Sequence, residues 1–109
     1  VTDDLLLAGG PAASLVNYQP GAVVSRTLVK TSTGTVTAFA FDEGQELSEH
    51  TAPFDALVHM LDGEGEVRVS GKPHALRTGD ILLMPGGEPH ALKATKRFKM
   101  LLIMIRKSE

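Results

Sequence analysis

Short apolar or alternating runs along this chain are broken every few positions by glycine, proline or acidic residues, a rhythm with the period of strands rather than helices. Thr35-Val36-Thr37-Ala38-Phe39-Ala40-Phe41 is rich in β-branched and aromatic residues and is closed by Asp42-Glu43-Gly44. Leu57 to Leu61 reads as a strand closed by Asp62-Gly63, and Glu66 to Val69 as another that ends at Ser70-Gly71-Lys72-Pro73. Ala22 to Lys30, His74 to Leu76, Ile81 to Met84, His90 to Ala94 and Phe98 to Ile105 complete the set. Only Pro11 to Val16 has the character of a helical turn. Many short strands without a long amphipathic helix predict an all-β sandwich or barrel. No repeat or linker divides the chain, so the expectation is an N-terminal arm over residues 1–21, loosely anchored from Val1 to Gly10, and one barrel domain over residues 22–109.

Composition narrows the class. At 109 residues and 42% hydrophobic content the chain can bury one core. A net charge of −2 gives no electrostatic footprint for nucleic acid or for an anionic membrane. The longest apolar run, Met100 to Ile105, is far short of the roughly 18–20 residues of a membrane-spanning helix. No secretory leader opens the sequence, although Val1 in place of Met suggests that the natural start is missing. Cysteine is absent, which removes disulfides, thiolate nucleophiles and zinc ribbons together, and the cytoplasm is the expected compartment.

Two stretches carry a more specific signal. Gly44-Gln45-Glu46-Leu47-Ser48-Glu49-His50-Thr51-Ala52-Pro53-Phe54-Asp55-Ala56-Leu57-Val58-His59-Met60-Leu61-Asp62-Gly63 resembles the first cupin motif, G-x5-H-x-H-x3–4-E-x6-G. Gly44, His50 and Gly63 fall in register, while Ala52 and Ala56 stand where that family has a second histidine and a glutamate. Gly79-Asp80-Ile81-Leu82-Leu83-Met84-Pro85-Gly86-Gly87-Glu88-Pro89-His90-Ala91-Leu92-Lys93-Ala94 resembles the second motif, G-x5-P-x-G-x2-H-x3-N. Gly79, Pro85, Gly87 and His90 match, and Ala94 replaces the asparagine. Any one of these glycines has an ordinary explanation as a strand-reversal residue with positive φ. Their joint spacing is what carries the resemblance, which implies a single-domain, cupin-type jelly-roll β-barrel of the RmlC-like kind, a double-stranded β-helix.

The resemblance also sorts the histidines. It places positions 50, 52 and 56 on the inner face, so Val58 and Met60 continue that face at period two and His59 points away. His90 lies inside as well, followed by Leu92 and Ala94. The candidate ligand site is therefore His50, His90, Ala52, Ala56, Val58, Met60 and Leu92, with Met84, Met100 and Met104 as further wall candidates. The plain alternative is that the two histidines bond only to neighbours or water, and that the methionines are barrel core. His59 and His74 read as outward or solvated residues.

A transition-metal site normally takes three or more protein ligands, and here the family pattern leaves two, His50 and His90. Asp55, Glu46 and Glu49 are the nearby carboxylates that could complete it. Two hypotheses of different class follow. The first is a binding module that holds a small organic molecule in the barrel near His50 and His90 and needs no cofactor. The second is a small enzyme of isomerase, dioxygenase or decarboxylase type, with a divalent Zn, Ni, Mn or Fe ion at His50 and His90 or with one histidine as general acid/base. No nucleophilic triad, dinucleotide fingerprint or nucleic-acid patch competes, since Lys93, Lys96, Arg97 and Lys99 read as a solvated hairpin. A homodimer is implied by the resemblance, and the long apolar strand Ala22 to Lys30, left at a sheet edge, would invite a second copy.

Overall fold

The computed structural model describes residues 4–106, so both outer ends of the expected arm and barrel, residues 1–3 and 107–109, lie outside the described residues. After a short helix α1 (Asp4–Ala8) and a 3-10 turn (Ala12–Leu15) come eight strands: β1 (Val23–Thr31), β2 (Gly34–Phe41), β3 (Glu46–His50), β4 (Phe54–Val69), β5 (Lys72–Arg77), β6 (Ile81–Met84), β7 (His90–Lys93) and β8 (Phe98–Arg106). They form one antiparallel sheet in the order β1-β2-β8-β4-β7-β3, with β5 and β6 also pairing to β4. The sheet curls on itself, because the 16-residue β4 pairs with β6 and β8 along its first half and with β5 and β7 along its second.

That continuous β4 replaces the two strands expected from the sequence. Asp62-Gly63 is a bulge and not a turn: the pairing with β8 slips between Met60 and Asp62, and Gly63 adopts φ +80°. A Cβ there would overlap the Arg97 carbonyl, so glycine serves both the backbone conformation and the close approach of β8. The slip also reverses which residues face inward. Ala56, Val58 and Met60 are buried before it, Gly65 and Val67 after it.

The interior is closed by Phe41, Val58, Met60, Val67, Met84, Phe98 and Met100, each less than 2% exposed. Phe41 and Phe98 stack with centroids 4.5 Å apart. A second apolar cluster forms on the outer face, where Leu15 and Val16 cover Ala38 and Ala40, with Leu5, Tyr18, Leu28 and Leu101 packed around them. The residues before β1 thus touch the sheet at Leu5 and again from Ala12 to Tyr18, while residues 6–11 between them are exposed. Tyr18 fastens them: its hydroxyl donates to Asp62 at 2.7 Å, while Arg97 and Lys99 lie over its ring. Burial and the Asp62 carboxylate together hold the Tyr18 hydroxyl well above its ordinary ionisation range.

Candidate functional site

The two motif segments reach one mouth of the barrel. β3 ends at His50 and β7 begins at His90, and the two residues are direct cross-strand partners after a slip between Leu47 and His50. Their imidazoles meet with Nε2 atoms 3.1 Å apart and rings inclined at 69°. His50 Nδ1 lies 2.8 Å from the Ser48 carbonyl, which can only accept, so Nδ1 of His50 carries a proton. In the neutral pair His50 Nε2 is then the acceptor and His90 Nε2 the donor. The remaining contact, His90 Nδ1 to the Glu88 carbonyl, is long at 3.4 Å, as expected for a nitrogen left without its proton. Burial pushes the His90 imidazole below its ordinary value and the neighbouring His50 charge adds to that, with the Glu88 carbonyl opposing in part.

The loop before β7 holds His90 in place. Pro85 to Glu88 forms a turn closed by the Glu88 N–H on the Pro85 carbonyl, and Gly87 adopts φ +85°. The loop is tied to the opposite motif twice. Gly87 N–H donates to the Ala52 carbonyl at 2.9 Å, and Gly86 N–H donates to the Asp55 carboxylate at 2.8 Å. Asp55, weighed from the sequence as a replacement ligand, is instead a positioning residue: its side chain orients the loop that presents His90. Nothing in its spacing announced this, because the contact joins residues 31 positions apart.

Of the residues expected at the site, His50 is exposed at the mouth, Ala52 is half-buried beside it, and His90 is 7% exposed. Ala56, Val58, Met60 and Leu92 all lie deeper, in the packed interior with Phe41, Met84 and Phe98. The register adds two neighbours that the sequence reading passed over, Thr37 and Leu102, and places two of its methionine candidates. Thr37 and Leu102 share the inward row of Val58, while Met104 and Met84 flank Ala56. Counting parity outward from Phe98 along β8 would have found Leu102.

The family pattern implies a metal, and the donor set present does not fit one. Ala52 and Ala56 carry no donor atoms, Asp55 is engaged with Gly86, and among the described residues no three histidine, cysteine or carboxylate side chains gather. A separate open groove of about 590 Å³ crosses the outer face of β3, β7 and β4, where Glu46, Lys93 and Glu66 form one cross-strand row. It includes neither histidine.

An antiparallel sheet rolled into a jelly roll, with two motif loops converging on one mouth, defines the class of small barrel proteins. The cupin domain family matches residues 38–106, and the chain belongs to that family. Protein SchB of Streptomyces halstedii is 32% identical over 84 residues, which are 72% of this chain and 61% of SchB, so the chain spans about three fifths of that curated relative. A cupin 2 conserved barrel domain protein from Leptotrichia buccalis is 44% identical with a TM-score of 0.84, over 86% of this chain and 46% of that one. A cupin superfamily protein from Desulfitobacterium hafniense is 30% identical with a TM-score of 0.85 over 89% of both chains. No helix among the described residues is long and apolar enough to cross a membrane.

Proposed function

We propose that this cupin binds a small organic molecule at the barrel mouth, with His50 and His90 as its polar contacts and Ala52 as part of its apolar wall. Ala56, Val58, Met60 and Leu92 form the closed floor beneath. The observation that carries the reading is the histidine pair itself: two imidazoles from separate strands meet at 3.1 Å, one exposed and one buried, where the expected third and fourth metal donors are alanines. A concave apolar wall with a few convergent polar groups is the usual form of a small-molecule site. Such a ligand displaces the bond between the rings and bonds to the freed Nε2 atoms. The partners in this reading are the ligand and a second copy of the chain.

The asymmetry of the pair favours one further reading, an enzyme that uses it for acid/base chemistry. His90, kept neutral by burial, donates a hydrogen bond from Nε2–H to a carbonyl oxygen of the bound metabolite, and His50 takes a proton from the adjacent carbon and returns it to the product. Long-range proton–nitrogen NMR of the imidazoles, recorded while a panel of small carboxylates and hydroxylated metabolites is added, tests the binding reading. A binder should shift both Nε2 resonances and should be lost in His90→Ala. Binders that perturb only the Glu46–Lys93 groove, or that bind His90→Ala unchanged, would overturn it.

A further inference from the structure

Cross-strand partners share a face, so the register assigns each paired residue to the inside or the outside of the barrel. Val69 packs inward against the core, and its partners are His90 on one side and Lys72 on the other. One inward row at the mouth is therefore His50, His90, Val69 and Lys72. On the opposite wall Ala56 and Met104 face the core, so Phe54 and its partner Arg106, two positions further along β4 and β8, face the same way. The Arg106 guanidinium lies 5.9 Å from the Phe54 ring centroid. A Cβ on Gly86 would stand 3.0 Å from the Phe54 carbonyl, which puts this pair beside the loop that presents His90. Lys30, partner of Thr35 in the row of Met104 and Ala56, is a third inward cation.

Among the described residues, no paired strand position on the inside holds an acid. Glu46, Asp55, Asp62, Glu64 and Glu66 all fall on outer rows, and the acids next to the histidines, Glu49 and Glu88, are exposed. Composition does not explain this, because the chain has 13 acidic residues against 11 basic ones. On the outside of the same strands the signs alternate, and Arg68 is bonded to Glu66 at 2.8 Å. Among the described residues no carboxylate lies within ion-pair distance of Lys30, Lys72 or Arg106.

We propose that the mouth takes small organic acids, the carboxylate held between the His90 imidazole and the Lys72 ammonium and the carbon body lying against Ala52 and Phe54. This rests on the binding site proposed above and names the class of molecule it holds. Strands are spaced about 4.8 Å apart, so the backbones of His90 and Lys72 stand about 10 Å from each other across Val69, a gap that a carboxylate between an imidazole and a lysine side chain fills. His90 donates from Nε2–H, and Lys72 supplies the opposite charge. Arg106 on the other wall adds a positive field that draws an anion in and repels a cation. Inorganic phosphate shares the charge but has no carbon body to set against the apolar wall.

Acids are best compared with their amides, which keep the carbon body and lose the charge: benzoate with benzamide, hexanoate with hexanamide, and inorganic phosphate as the bare anion. Followed at the His90 Nε2 resonance, each acid should bind at least about tenfold more tightly than its amide and than phosphate. Lys72→Gln should weaken the acids about tenfold and leave the amides unchanged, with a smaller loss in Arg106→Gln. Arg68→Gln removes the same charge from the outer face of the same hairpin and should change neither. All three positions are exposed, so circular dichroism should show each variant folded. Amides or phosphate binding as tightly as the acids would overturn the preference for organic acids and leave the binding site standing. Acids that bind Lys72→Gln as tightly as wild type would overturn it in the same way. If acids and amides alike leave His90 unmoved, the binding site itself falls and this preference with it.

Discussion

The two ends of the barrel interior are built from different strands and behave as different materials. At one end β2, β4 and β8 bring Phe41, Met60, Phe98 and Met100 into contact, and the Phe98 ring lies so close over Gly65 that a Cβ there would collide with it. At the other end β3 and β7 bring two imidazoles together, and the groups beneath them shrink to Ala52 and Ala56. Dispersion and burial hold the first end, so its geometry tolerates little change. Directed hydrogen bonds hold the second, through the Asp55–Gly86 and Ala52–Gly87 ties. Separating the two lets the mouth carry exposed, imperfectly packed polar groups without costing the fold its core.

The largest test of this division is Phe98→Ala. Removing a fully buried ring that stacks on Phe41 should cost about 3–5 kcal/mol, read as a lowered urea midpoint at unchanged slope. A loss below about 1 kcal/mol would mean that the closed end is not where stability resides.

Next in size is rebuilding the mouth. Ala56 is 3% exposed, so Ala56→Glu together with Ala52→His places a carboxyl in the packed interior and should destabilise the metal-free protein by about 2–4 kcal/mol. If the backbone keeps the family geometry, added Ni²⁺ or Mn²⁺ should restore much of that loss in the variant while leaving wild type unmoved. A melting curve that ignores the metal in the double variant would show that His50 and His90 do not stand where ligands would.

Asp55→Ala should have a smaller effect. It removes one charge-assisted bond to Gly86 N–H, worth about 1–3 kcal/mol, and its signature should lie at the mouth. Faster amide exchange from Pro85 to His90, with Phe98 and Met100 still protected, is the expected pattern. Uniform loss of protection would make Asp55 a general stabiliser rather than a residue that positions His90.

How far the sequence foretold these regions follows from what each depends on. The barrel end was legible because the motif resemblance assigned Ala56 to the inner face and the period of two carried Val58 and Met60 along with it. The meeting of His50 and His90 was legible because motif spacing fixed both registers. Asp62-Gly63 misled because a glycine with positive φ serves a bulge as well as a turn, and the choice is made by Arg97 and Phe98 from a distant strand. The N-terminal packing was missed because Leu15 and Val16 show no strand or helix period. Their signal was the second apolar face of β2, Ala38 and Ala40, which needed a cover.

The smallest expected effect is on pH dependence, and it separates the mouth from the core most cleanly. His90 is held below its ordinary value of about 6.5 by burial first and the His50 charge second, whereas in the unfolded chain it titrates near that value. Above pH 7 both states hold His90 neutral and it contributes no slope. As the pH falls through about 6.5 the unfolded chain gains a proton that the folded one refuses, so stability declines until the folded-state value is passed and then levels. Urea titrations from pH 8 to pH 5 on wild type and His90→Gln read this difference. The wild-type curve should fall more steeply below pH 6.5 than that of the variant. Parallel curves would mean that the buried imidazole is charged as readily as a free one.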